Sequence, residues 1–203
     1  MTVEANAKVN FTLEVFGKRA DGYHALRSVV MPISLSDTLD IDVTDDGSIT
    51  SDTGYDDDLC VKAARVLRSQ ISDFRSQIGA RIHVMKRIPA GGGLGGGSAD
   101  AAAVLRALNE LWKVGLSREE LAEIGAQVGS DVPALVMDGP VVMEGRGEKV
   151  QDLRLKTEDL RMRAALTHKS SSEPVSLVIS PSSATSMSSV SESEIGITTE
   201  RRA

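Results

Sequence analysis

Aromatic residues are scarce, at 3% of 203 positions, and all six (Phe11, Phe16, Tyr23, Tyr55, Phe74 and Trp112) stand within the first 112. Cysteine occurs once, at Cys60, which excludes a disulfide framework and a thiolate metal cluster. A basic excess is missing too: 23 Lys and Arg against 29 Asp and Glu leave a formal charge of −6. Surfaces that wrap nucleic acid carry the opposite balance, so no nucleic-acid partner is expected. No apolar run approaches the ~20 residues that span a bilayer, so no membrane partner is expected either. The opening MTVEANAK has no charged segment leading into an apolar one, and the expectation is a soluble, cytoplasmic protein. A small anionic ligand stays open, because backbone amides bind phosphate locally without any net positive charge.

What is present is unevenly spread. Six of the 18 glycines fall within residues 91–97, and 12 serines crowd the 34 positions from Ser170 to Ala203. That last stretch has no aromatic residue and only short apolar clusters. It can bury little surface against its ordering entropy, and reads as a disordered tail. Folded material is expected to end between Leu153 and Thr167, which divides the chain into a domain over 1–155 and a tail over 156–203.

Within the first part the periodicities are legible. Ala7, Val9, Phe11, Leu13 and Val15 alternate with Asn6, Lys8, Asn10, Thr12 and Glu14, the pattern of a strand with one apolar and one polar face. Leu26 to Ile33 reads as a second strand ending near Pro32, and Leu39, Ile41 and Val43 as a third, turned by Asp45-Asp46-Gly47. Leu59, Ala63, Val66, Leu67 and Ile71 have helical spacing; Ile82, Val84 and Ile88 suggest a strand closed by Pro89. Strands and helices alternate irregularly, so the class is α+β rather than a regular doubly wound sheet.

The strongest feature is Pro89-Ala90-Gly91-Gly92-Gly93-Leu94-Gly95-Gly96-Gly97-Ser98-Ala99-Asp100. After it, Ala101, Val104, Leu105, Leu108, Leu111 and Trp112 mark one face of a helix. Ser98 suits the N-cap, and Asp100 suits the positive end of the helix dipole. Strand, glycine loop and helix N-terminus together make a site for a polyphosphate, since glycine lets the backbone turn its N–H groups onto a ligand. A flexible Gly/Ser linker has similar composition but would not sit between a periodic strand and a capped amphipathic helix. The loop is no Walker A sequence, because no Gly-Lys-Ser/Thr follows. Nor is it a dinucleotide fingerprint, because the residues about 20 positions on, Leu116 to Leu121, form the capping box of another helix.

Single residues elsewhere are less telling. Lys8 and Asn10 share the polar face of the first strand, where a lysine is ordinarily a solvated edge residue. Asp131, two before Pro133, reads as a helix cap. Tyr23 and His24 read as a surface turn, and Asp56-Asp57-Asp58 as a solvated acidic turn. Taken together with the loop they say more. AKVN at 7–10, PAGGGLGGGSADAA at 89–102 and GSDVP at 129–133 resemble, in order and spacing, the three motifs of the GHMP kinases. FGKRADGYHALRSVVMPISLSDTL at 16–39 and GPVVMEGRGEKV at 139–150 are similar to the members that act on a cytidyl-diphospho-methylerythritol. The resemblance covers roughly Val3 to Leu153.

It implies a GHMP kinase N-terminal domain, a mixed sheet with packed helices, and transfer of the γ-phosphoryl group of ATP, with Mg²⁺, to the 2-hydroxyl of that small-molecule substrate. Pro89, Ala90, Gly91, Gly92, Gly93, Leu94, Gly95, Gly96, Gly97 and Ser98 would cradle the triphosphate, with Ser98 near the phosphates or the Mg²⁺ and no metal ligand assigned. Asp131 would accept or orient the hydroxyl proton, with Lys8 beside it stabilising charge at the reacting centre. Tyr23 would stack on the cytosine, His24 would hydrogen-bond to it, and Asn10 would meet the methylerythritol part. Asp58 stands where the family pattern carries Asn near the adenine. After Leu153 nothing resembles the family's C-terminal domain, and the abrupt Ser-rich shift is what a truncated or frameshifted reading frame produces. A non-catalytic fragment of the same kinase, and another GHMP kinase acting on a homoserine- or mevalonate-type alcohol, are the alternatives; the DGYH segment speaks against the second of these.

Overall fold

The computed structural model describes residues 1–18, 22, 24–71 and 77–153. Tyr23 and the Ser-rich segment 156–203 lie outside the described residues. The chain order is β1 (Thr2–Lys18), β2 (His24–Thr44), β3 (Ile49–Ser51), α1 (Leu59–Arg68), β4 (Gly79–Met85), α2 (Gly96–Leu111), α3 (Arg118–Val128), α4 (Val132–Val136), β5 (Val141–Gly145) and β6 (Lys149–Asp152). The expected α+β class holds: one mixed, six-stranded sheet is packed by helices.

β2 organises the sheet. The two strands read separately from the sequence are one, and Pro32 does not end it. β1 pairs antiparallel along one edge of β2, from Thr2 opposite Asp40 to Lys18 opposite His24. Two shorter partners divide the other edge: β5 takes Leu26–Val30 and β4 takes Thr38–Thr44. Positions 31–37 lie between these partners, so Pro32, which has no N–H to give, falls where neither β4 nor β5 needs a donor. β3 joins β4 in parallel, and β6 joins β5 antiparallel. The strand expected to reach Ile88 stops at Met85, and Ile88 is buried beyond its end.

The helices exist because their apolar faces find this sheet. α2 contributes Ala99, Ala101, Ala102, Ala103, Val104, Leu105, Ala107 and Leu108 to the core. Its alanines let it lie close to β1 and β2 while it also packs on α1, α3 and α4. α1 starts at Asp58, whose carboxylate accepts from the amides of Cys60 and Val61 at 2.7 and 3.3 Å. α3 starts with the expected capping box, Glu120 N to Ser117 Oγ at 3.2 Å and Ser117 N to Glu120 Oε2 at 2.8 Å. Lys62 on α1 closes the far end of α3 by donating to the Val128 carbonyl at 2.9 Å.

β1 departs from its sequence pattern. Ala5 and Ala7 are buried as expected, but so is Lys8, on the face that alternation assigns to solvent. The register of β1 on β2 shifts between Asn6 and Lys8, where β2 carries the extra residues, and again between Asn10 and Thr12, where β1 carries one extra and the face it presents changes. Farther out, Leu13 to Lys18 are exposed on both faces, leaving Phe11, Leu13, Val15 and Phe16 at 42%, 54%, 61% and 53% exposure. This outer half of the β1–β2 hairpin runs past the helical layer.

Gly79 is the tightest point of the sheet. A Cβ there would lie 2.1 Å from the Ser48 carbonyl oxygen and 2.8 Å from the Ser48 amide, both backbone atoms with nowhere to go. Gly79→Ala is expected to destabilise the domain by about 2–3 kcal/mol, read as a lowered midpoint in urea unfolding with an unchanged slope.

Candidate active site

The glycine loop behaves as a backbone device. Gly91, Gly93 and Gly95 hold φ of 74°, 71° and 73°, so every second residue is left-handed, a conformation costing an L side chain about 1–2 kcal/mol. The loop feeds α2 at Gly96, with Gly95 as the N-cap. This corrects the expectation for Ser98, which sits inside the first turn rather than before it. No side chain caps α2, so the N–H groups of its first turn have no helical partner and combine with the dipole into a site for anionic oxygens.

These donors border a cleft of about 260 Å³ that Pro89, Ala90 and residues 91–97 line on one side and Thr53, Tyr55 and residues 57–60 on the other. Asp58 lines it too, but its oxygens are engaged by the α1 amides and by Thr53 Oγ1 at 2.7 Å. Hydrogen bonds from Thr53, Ser51 and these amides outweigh burial and hold its carboxyl below the usual range. Burial, helped by the nearby charges of Asp100 and Asp58, pushes the Cys60 thiol far above its ordinary value, so it has no thiolate to offer as a nucleophile.

Behind the loop stands the lysine. Lys8 is 5% exposed, and its Nζ lies 3.3 Å from Asp131 Oδ2, so the two residues singled out separately in the sequence form an ion pair. Lys8 N also donates to the Leu94 carbonyl at 2.9 Å, tying β1 to the loop. Asn10 Oδ1 accepts from Lys8 Nζ at 3.5 Å and from Ser28 Oγ at 3.3 Å. Asp131 stands at the N-cap position of α4, as its reading as a cap has it, but its side chain makes no capping hydrogen bond, which leaves its carboxylate to Lys8. Ser98 approaches the same segment: a Cβ on Gly129 would lie 3.9 Å from Ser98 Oγ. His24 is not drawn into this group. It is exposed at the start of β2, six residues from Val30, the partner of Asn10, or about 20 Å along the strand.

A second ionic cluster escaped the sequence reading. Lys86 Nζ donates to Asp37 Oδ2 at 2.5 Å and to Asp100 Oδ2 at 2.6 Å. Asp37 Oδ1 accepts from the amides of Arg87 and Ile88 at 2.5 and 2.8 Å. Both carboxylates are buried, so Asp100 does not serve the helix dipole from the surface as expected. One signal was available: Asp100 is charged within an otherwise apolar helical face. Asp37 gave none, because its burial depends on the interval between β4 and β5. Among the described residues, no group of three or more His, Cys, Asp or Glu is placed to hold a metal ion.

Gly95 fixes how close loop and lysine can be. A Cβ there would meet Lys8 Cγ and Cε, each at 3.2 Å, on a left-handed backbone, whereas one on Gly97 meets only Leu59 Cδ1 at 3.6 Å. Gly95→Ala is expected to lower the thermal midpoint by several degrees. Gly97→Ala should leave it unchanged or raise it, since alanine gains up to about 1 kcal/mol of helix propensity.

The GHMP kinases N terminal domain matches residues 58–139. The chain is 43% identical over 159 residues to the 4-diphosphocytidyl-2-C-methyl-D-erythritol kinase of Brevibacillus brevis, covering 75% of this chain and 53% of that protein. It is 47% identical over 156 residues to the protein of the same name from Dechloromonas aromatica, covering 74% and 56%. A crystal structure of 4-(cytidine 5'-diphospho)-2C-methyl-D-erythritol kinase superposes with a TM-score of 0.66 at 36% identity, over 77% of this chain and 56% of that one. The chain thus spans about half the length of the curated relatives it matches. In sequence and in fold alike, it carries the N-terminal domain of the GHMP kinases.

Proposed function

We propose that this chain serves ATP-dependent phosphorylation of an alcohol, the 2-hydroxyl of 4-diphosphocytidyl-2-C-methyl-D-erythritol, in isoprenoid synthesis by the non-mevalonate route and in the cytoplasm. Residues 1–155 are the ATP-binding domain in this reading. The observation that carries it is the Lys8–Asp131 ion pair, 3.3 Å long, set directly behind the left-handed Gly95 of an uncapped glycine loop. Phosphoryl transfer asks a protein mainly to position two reactants and to neutralise developing charge.

Each residue then has a task. The amides of residues 91–98 hold the triphosphate. Asp131 accepts a hydrogen bond from the acceptor hydroxyl and takes its proton as the oxygen attacks the γ-phosphorus and the bond to the departing diphosphate breaks. Lys8, almost wholly buried, balances the negative charge gathering there. Mg²⁺, when bound, would supply charge neutralisation on the phosphate oxygens near Ser98; it usually keeps several waters and binds through substrate phosphates, and among the described residues no group of three or more His, Cys, Asp or Glu is placed to cage it. Asn10 meets the polyol, and Tyr23 and His24 the cytosine. An acceptor reaching from Asn10 to His24 must be elongated along β2, as a cytidine diphosphate bearing a polyol is.

One observation favours a second reading: the matched relatives are nearly twice as long as the segment matched here. In that reading the chain binds nucleotide without turning it over. Phosphotransfer with ATP and the cytidyl substrate separates the two. Asp131→Asn and Lys8→Ala are each expected to abolish turnover while leaving the circular dichroism spectrum unchanged; retained turnover in either soluble variant would refute these roles. Absent turnover in the unsubstituted chain, with ATP still bound, would favour the second reading.

A further inference from the structure

The Asp37–Lys86–Asp100 cluster lies outside the reaction as described, yet it borders the same cleft. Lys86 and Asp100 both line it, and the Lys86 side chain is 29% exposed. Lys86 precedes the glycine loop and Asp100 follows it, so the ammonium joins the two ends of the loop. Asp37 anchors the entry through the amides of Arg87 and Ile88. The connection is short, and its charges do not balance: two buried carboxylates face one ammonium. Among the described residues, Asp100 Oδ1 is buried without a hydrogen-bond partner.

We propose that Asp37 and Asp100 are positioning residues that staple the glycine loop through Lys86, and that an anion entering the cleft is bound together with a proton on Asp100. The inference rests on the nucleotide reading given above. With both carboxylates ionised, the cluster places one net negative charge beneath a loop built for phosphate. With a proton on Asp100 the cluster is neutral, and the buried carboxyl no longer leaves an unpartnered oxygen carrying anionic charge.

The proton belongs on Asp100 for a structural reason. Burial favours the neutral form of both acids, but Asp37 receives Lys86 and two backbone amides, which together hold it below the usual carboxylate range. Asp100 has Lys86 alone; burial, with the charge of Asp37 added, pushes it up to about 7. The other groups do not compensate. α1 presents Cys60, whose thiol stays neutral, and Asp58, which is negative; Lys8 on β1 is paired with Asp131 ahead of α4; the glutamates of α3 are exposed. A phosphate tail adds negative charge and raises Asp100 further, so binding takes up a proton and affinity falls as pH rises through 7.

The test is calorimetric titration of the full chain with ATP from pH 5.5 to 8.5, in two buffers of different ionisation heat. Asp100→Asn is the paired variant, because the phosphates of ATP and the imidazoles titrate identically in both proteins. The expected result is proton uptake in the unsubstituted chain that exceeds that of the variant, and an affinity that falls about tenfold more between pH 6 and 8. Parallel pH profiles with equal proton counts would overturn the proposal. The infrared carbonyl band of a buried carboxylic acid reads the same proton without ligand. It should be present at pH 6, absent in Asp100→Asn, and lost at lower pH in Asp37→Asn, where the neighbouring negative charge is gone. If ATP binds neither protein, the nucleotide reading fails and this band decides the proton assignment by itself: its absence at pH 6 overturns it.

Discussion

An ammonium group buried beneath a backbone loop is costly unless an opposite charge is held against it, and the central geometry of this domain follows from that requirement. Lys8 leaves β1 on the face that meets the helices, and its charge is answered by Asp131 ahead of α4. The partner is supplied by a short helix that Pro133 starts and Arg106 closes, donating to the Leu135 carbonyl at 2.8 Å. The stem of the lysine occupies the space that Gly95 leaves empty. Three distant stretches of sequence are thereby committed to one small volume.

β2 makes that convergence possible by being long and by having divided partners. A single continuous neighbour on its second edge would have left no interval for Asp37, and the residues leaving β4 would have had to cross the sheet surface instead. The interval lets Arg87 and Ile88 spend their amides on a buried carboxylate, which is how a chain changes direction in a dry place without stranding polar groups. The loop's mouth and its floor are thus fixed by different acids, Asp131 behind it and Asp37 beneath.

Much of this was legible in the sequence, for identifiable reasons. α1, α2 and α3 follow 3.6-residue periodicity, and the capping box of α3 is local chemistry within four residues. The loop announced itself through glycine density, and Lys8 and Asp131 through their place in a spaced set of motifs. Most of the misses were non-local. The glycine loop packs over Lys8 and Asp131 answers its charge, which buries a lysine that alternation assigns to solvent. Ser98 yielded the cap to Gly95 because a left-handed glycine enters the helix without needing a side-chain acceptor. The Lys86 cluster joins residues 49 and 14 positions apart, and no window along the chain brings Asp37, Lys86 and Asp100 together.

The outer hairpin has a consequence for handling the protein. Phe11, Leu13, Val15 and Phe16 form a greasy strip that offers a second molecule a dry contact. Opposing that contact is mutual repulsion from a net charge of −6, which acts across solvent and weakens as counter-ions accumulate. Solutions of this chain therefore keep their molecules apart best in dilute buffer, and added salt, which usually calms a charged protein, works here in favour of self-association.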